Sequence, residues 1–109
     1  MTTTAIPKSV SDFMQHITDL CGTEHAAWAE NFNAGFANTL ATTVKRHDDG
    51  ATFLLTGDIP AMWLRDSTAQ LRPYLALAVE DGDIASLIAG LIRQQFRYIT
   101  IDPYANAFN

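Results

Sequence analysis

Large apolar side chains recur at every fourth position from Trp28 through Phe32, Phe36 and Leu40 to Val44. That interval stacks them on one slowly drifting face of a helix. A strand alternates at two and would divide them between its faces. The stripe therefore predicts one long helix over residues 23–46, capped by Thr23, with an aromatic-rich face to bury. A cofactor platform is the other use of such a stripe, but helical spacing favours core packing.

The rest of the chain is read around that helix. Residues 1–8 form a loose tail. Ser9 or Ser11 caps a first helix to about Leu20, with Phe13, Ile17 and Leu20 inward and Gly22 as its stop. His47-Asp48-Asp49-Gly50 is a turn, and residues 51–55 are short, apolar and β-prone. Asp66 or Ser67 caps the next helix, to about Val79; Ser67 and Gln70 have capping-box spacing, and Pro73 kinks it. Asp83 caps a last long helix to about Ile101. Its stripe is Ile84, Leu87, Ile88, Leu91, Ile92, Phe96 and Ile99, with Arg93, Gln94 and Arg97 opposite. Gly90, among large neighbours, permits a close helix contact. The sum is an all-α chain of three or four helices and at most one short strand. Four helices burying one face each leave part of the last stripe exposed.

Composition narrows the function. Of 109 residues, 48% are hydrophobic and 17% charged, enough for a core and too apolar for disorder. Net charge is −5 and Lys45-Arg46 is the one adjacent cationic pair, so nucleic acid is not an expected partner. A single cysteine, Cys21, excludes an intrachain disulfide and a thiolate metal cluster. The first residues lack a basic flank and apolar core of a signal peptide, and the apolar runs are broken by Glu80, Asp81, Asp83 and Arg93. The expectation is a cytoplasmic protein with no membrane span. His16, His25 and His47 sit on separate elements, and no phosphate loop, nucleophile elbow or His-Glu metal pattern is present.

Polar chemistry concentrates in residues 57–72. Arg65 offers a planar donor fork and Asp66 two acceptor oxygens, with Asp58 and Trp63 close in sequence. Such a set grips a polyhydroxylated ring: carboxylates accept hydroxyl protons, arginine donates, and the indole covers an apolar sugar face. It is equally the makings of an architectural knot, in which Asp66 caps a helix, Arg65 pairs with Asp58 and Trp63 fills the core. Asp102 to Asn109 repeats the character at a helix exit, with a carboxylate, a phenol and amides.

Thr56-Gly57-Asp58-Ile59-Pro60-Ala61-Met62-Trp63-Leu64-Arg65-Asp66-Ser67-Thr68-Ala69-Gln70, continued by Arg72-Pro73-Tyr74, resembles the signature of the family 125 glycoside hydrolases. Residues 87–99 and 101–109 match that family too, as does the helix around Trp28, Phe32 and Asn38-Thr39-Leu40. The resemblance covers residue 24 to the end. It implies an (α/α)6 barrel of several hundred residues. This chain would be its first helices: residues 1–23 a tail and first helix, and 24–109 a part of the glycosidase domain cut at 109. It further implies a metal-independent, cofactor-free exo-α-1,6-mannosidase acting with inversion on a terminal mannose. An acid and a base stand roughly 6.5–9.5 Å apart in such sites. Both are expected beyond Asn109, which would leave the fragment inactive alone. By match to the motifs, Arg65 and Asp66 hold the mannose, with Asp58, Trp63, Asp102 and Asn106 as further candidates. The alternative is a non-catalytic helical module, sugar-binding or structural.

Overall fold

The computed structural model describes residues 2–3, 6–57 and 59–109. Strand β1 (Thr2–Thr3) lies where a tail is expected, and pairs with Lys45 and Arg46. Helix α1 (Lys8–Cys21) begins earlier than its serines suggest. Pro7 supplies the pre-set φ, and its carbonyl takes the N–H groups of Val10 and Ser11. Ser9 therefore does not cap α1; its hydroxyl donates to the Asp81 carboxylate. Val10, not Leu20, is the fully buried residue of this helix.

Helix α2 (Ala26–Asn38) is shorter than the stripe predicts. It starts behind His25, whose ring stacks on Trp28, and Trp28 is 65% exposed rather than core. Past Asn38 the chain widens into a π-helical turn (Thr39–Thr43) and leaves as strand β2 (Val44–Arg46). The cause is chemical. Thr39, Thr42, Thr43 and Val44 are β-branched, and the Thr42 hydroxyl donates back to the Asn38 carbonyl at 2.8 Å. The Tyr74 hydroxyl donates to the Phe36 carbonyl where the switch begins. Burial pushes the Tyr74 phenol up, which keeps it a donor.

Strand β3 (Thr52–Leu54) returns antiparallel to β2, with Val44 opposite Leu54. Strand β4 (Met62–Trp63) runs directly into helix α3 (Leu64–Leu71). Asp66 and Ser67 thus fall inside the first turn, not at the cap, and no capping box forms; the Ser67 hydroxyl donates to the Leu64 carbonyl. Approaching Pro73, which has no N–H to give, α3 tightens into a 3₁₀ segment (Arg72–Leu77). Helix α4 (Gly82–Ile101) is capped by Asp81 rather than by Asp83, two residues further on; the Asp81 carboxylate accepts from the Asp83 and Ile84 N–H groups at 2.9 and 3.3 Å. Gln94 is buried, against the expected polar side. Strand β5 (Ala107–Phe108) closes on β4.

The frame is four α-helices with two small antiparallel sheets, ordered β1-β2-β3 and β4-β5, and no closed sheet among the described residues. The strands have two or three residues each, too short for any alternation to show in the sequence. Phe32, Phe36 and Tyr74 stack through the core, with Phe13 tilted against Phe36, beside Leu40, Leu71, Ile84 and Leu87. Gly90 does permit a close contact, but with β3 and its turn rather than a helix. A Cβ there would lie 2.3 Å from the Gly50 carbonyl oxygen. No helix among the described residues is long and apolar enough to cross a membrane.

Candidate ligand-binding wall

Gly57 turns with φ +70°, a conformation that disfavours a side chain, and so admits the bend that follows β3. The bend is held from behind by Thr56. Its buried hydroxyl accepts from the Trp63 N–H at 2.9 Å, and its own N–H donates to the Ala61 carbonyl at 3.0 Å. Met62 is fully buried and anchors β4 in the core.

From the other end of the chain, β5 is laid against β4 with Met62 opposite Phe108 and Trp63 opposite Ala107. Phe108 is seated by parallel stacking on Tyr98 of α4, ring centres 4.2 Å apart. One residue beyond the ladder, the Leu64 N–H donates to the Asn106 carbonyl at 3.0 Å. The two polar segments picked out in the sequence are thereby joined into one surface.

That surface lines a cavity of about 320 Å³ bounded by Trp63, Leu64, Arg65, Asp66 and Asn106. Four of the six candidate residues meet there. Asp102 is not among them. It is exposed at the end of α4, and its carboxylate accepts the Tyr104 N–H at 3.0 Å, shaping the turn that presents Asn106. Asp58, and with it the expected Arg65–Asp58 pair, lies outside the described residues.

The wall's backbone is tied, while among the described residues its charged side chains have no partner beyond each other. Arg65 is 96% exposed and Asp66 50%, with Nε and Oδ1 3.8 Å apart. An exposed pair at that distance contributes little to stability. Asp66 makes no capping bond to α3, and Trp63 is half-buried rather than core. The fold thus makes small use of the donors and acceptors gathered here. Exposed arginine and carboxylate groups beside an indole offer paired hydrogen bonding and an apolar plane to one ligand. Among the described residues, no group of three or more metal-ligating side chains is assembled.

Sequence reasoning passed over Thr56 and Gln95. The Gln95 amide reaches from α4 to the Leu64 carbonyl and to the Ser67 and Thr68 hydroxyls, at 3.1, 3.1 and 2.7 Å. Neither residue carries charge or periodicity; membership in the two long motifs was the only available signal.

A family profile described as metal-independent alpha-mannosidase (GH125) matches residues 25–109. The meiotically up-regulated gene 157 protein of Schizosaccharomyces pombe is 40% identical over 105 residues, covering 93% of this chain and 20% of that protein. A solved metal-independent alpha-mannosidase of Streptococcus pneumoniae, in a non-productive substrate complex with alpha-1,6-mannobiose, is 44% identical with a TM-score of 0.89. That match covers 95% of this chain and 24% of the other. In both cases the chain spans a quarter or less of its relative.

Proposed function

Since the chain belongs to the metal-independent alpha-mannosidase family GH125 and corresponds to a portion of that larger fold, we propose that it supplies one wall of a mannose subsite. The whole protein carrying it hydrolyses terminal, non-reducing α-1,6-linked mannose with inversion. The observation that carries this reading is the convergence of Trp63, Arg65, Asp66 and Asn106 on one cavity, with the Arg65 and Asp66 side chains exposed there. Support for the substrate comes from the pneumococcal relative, whose complex contains α-1,6-mannobiose.

In this role Asp66 accepts protons from sugar hydroxyls, Arg65 donates to hydroxyl or ring oxygens, and Trp63 covers the apolar face of the pyranose. Hydroxyls gripped by a charged pair must be unsubstituted, which fits an enzyme that removes end residues. The general acid and the water-activating carboxylate come from outside residues 1–109, set far enough apart to admit that water. The wall orients the sugar between them.

In the whole protein, Arg65→Ala and Asp66→Ala should each lower kcat/KM on an α-1,6-mannoside by more than tenfold, with unchanged circular dichroism. Tenfold is about 1.4 kcal/mol of transition-state stabilisation. Losses smaller than that overturn the sugar-holding role.

A further inference from the structure

The wall depends on the backbone of one residue. Leu64 joins β4 to α3, and Arg65 and Asp66 follow it directly. Its N–H is held by the Asn106 carbonyl. Its carbonyl is approached by the Ser67 hydroxyl at 3.0 Å, the Thr68 hydroxyl at 3.0 Å and the Gln95 Nε2 at 3.1 Å. A carbonyl only accepts, so the Gln95 end facing it is the amine end. The same Nε2 stands 3.1 Å from the Ser67 hydroxyl and 2.7 Å from that of Thr68. Two N–H groups thus serve three oxygens, and each hydroxyl that accepts from Gln95 passes its own proton to Leu64.

Gln95 also stands one turn before Tyr98 on α4, where Tyr98 seats Phe108 and with it the β5 side of the wall. A single helix therefore sets both halves: the Arg65–Asp66 half by hydrogen bonds, the Asn106 half by aromatic stacking. Among the described residues the Arg65 and Asp66 side chains have only each other, at 3.8 Å, and both are exposed. Turning the Leu64–Arg65 peptide would re-aim both.

We propose that Gln95 is a positioning residue for the mannosidase reaction, holding the Leu64 carbonyl, and with it the Leu64–Arg65 peptide, so that Arg65 and Asp66 point into the sugar site. The proposal rests on the reading of the wall given above. A misplacement of about 1 Å at such a site costs on the order of a hundredfold in rate.

The test is a double-mutant cycle in the whole protein, read as kcat/KM on an α-1,6-mannoside. Gln95→Leu, which keeps the bulk and removes the donors, should lose about ten- to a hundredfold. In an Arg65→Ala, Asp66→Ala background the same change should cost less than about twofold, because its targets are gone. Equal losses in both backgrounds mean a merely structural role and overturn the proposal. So does an undiminished Gln95→Leu enzyme in which Arg65→Ala and Asp66→Ala are impaired. If those two variants are themselves unimpaired, the reading of the wall fails and the proposal falls with it. Gln95→Glu covers the case in which Gln95→Leu does not fold. Its ionised carboxylate has no proton to give, whereas its neutral form regains one donor. The deficit relative to the parent enzyme should narrow as pH falls, and a pH-independent deficit overturns the proposal.

Discussion

Two glycines separate packing from propensity. Gly35 lies on the exposed side of α2 with nothing within 4 Å of an added Cβ. A Cβ added at Gly90 would lie 2.3 Å from the Gly50 carbonyl oxygen and 2.5 Å from the Thr52 hydroxyl oxygen. Neither neighbour is free to retreat: one is backbone, and the Thr52 hydroxyl is engaged with the Leu87 carbonyl at 2.8 Å. Gly35→Ala should therefore stabilise the chain by about 0.5–1 kcal/mol through helix propensity. Gly90→Ala gains the same propensity but overpacks by about 1–3 kcal/mol, so the net is a loss. Thermal melts of the two variants should move in opposite directions. At this scale the sequence is informative about kind and poor about partner. Gly90 reads as a close-contact glycine, but that its neighbour is a sheet turn depends on residues some 40 positions away. Arg65, Asp66, Trp63 and Asn106 are legible as polar or stacking groups in matched motifs. Their convergence depends on the β4–β5 pairing, which nothing local encodes.

Elements show why some boundaries are legible and others are not. Helix α4 is readable in its body and at its C-terminal end because seven apolar residues keep one period and Asp102-Pro103 stops it. The end of α2 is not, because two signals conflict there. The i,i+4 stripe continues to Val44, while Thr39, Thr42, Thr43 and Val44 favour extended backbone, and tertiary pairing with β3 decides for the strand. The α4 cap is a similar contest between Asp81 and Asp83. Asp81 wins because its carboxylate also receives the Ser9 hydroxyl of α1, fastening two helices at once. That hydroxyl, followed by the Ile84 and Asp83 N–H groups, holds Asp81 below its ordinary value of 3.8 against a smaller opposing effect of burial. A depressed carboxyl stabilises the fold above the unfolded value, and the benefit is lost as pH falls through the folded one. Asp49 acts in the same sense, lowered by the Ala51 N–H and then by Arg97. Asp81→Asn keeps a capping oxygen but removes the titration. Its melting temperature should lie below the parent's at neutral pH, where the ionised carboxylate and its Ser9 bond are lost, and converge on the parent's between about pH 6 and about pH 2. An unchanged acid slope would show that Asp81 does not carry the linkage.

The molecule as a whole has more surface than a closed domain of its size. A 12.0 kDa monomer is expected to expose about 6,000 Å², and this chain exposes 6839 Å². Its radius of gyration is 14.9 Å, against about 13 Å for a compact domain of this length. The excess is apolar where α4 and the 3₁₀ segment face outward. Leu75, Ile92, Phe96 and Ile101 are 54%, 46%, 64% and 68% exposed, and Leu75 and Ile92 border a groove of about 370 Å³ with Leu71, Ile88 and Leu91. The stripe on α4 is legible in sequence as broader than four helices can bury, and the structure leaves that face open. In the (α/α)6 toroid that the family resemblance implies for the whole protein, further helices would cover it. The 109-residue chain alone should then show a light-scattering mass that rises with concentration above 12.0 kDa and give no titration heat with α-1,6-mannobiose. Phe96→Lys with Ile101→Lys should suppress the association by charging the open face. Placed in the whole protein, the same pair should abolish folding, because there it would bury two cations without partners. A chain that stays monomeric at all concentrations, melts cooperatively and binds the disaccharide would instead be a self-sufficient sugar-binding module, with this face needing no cover.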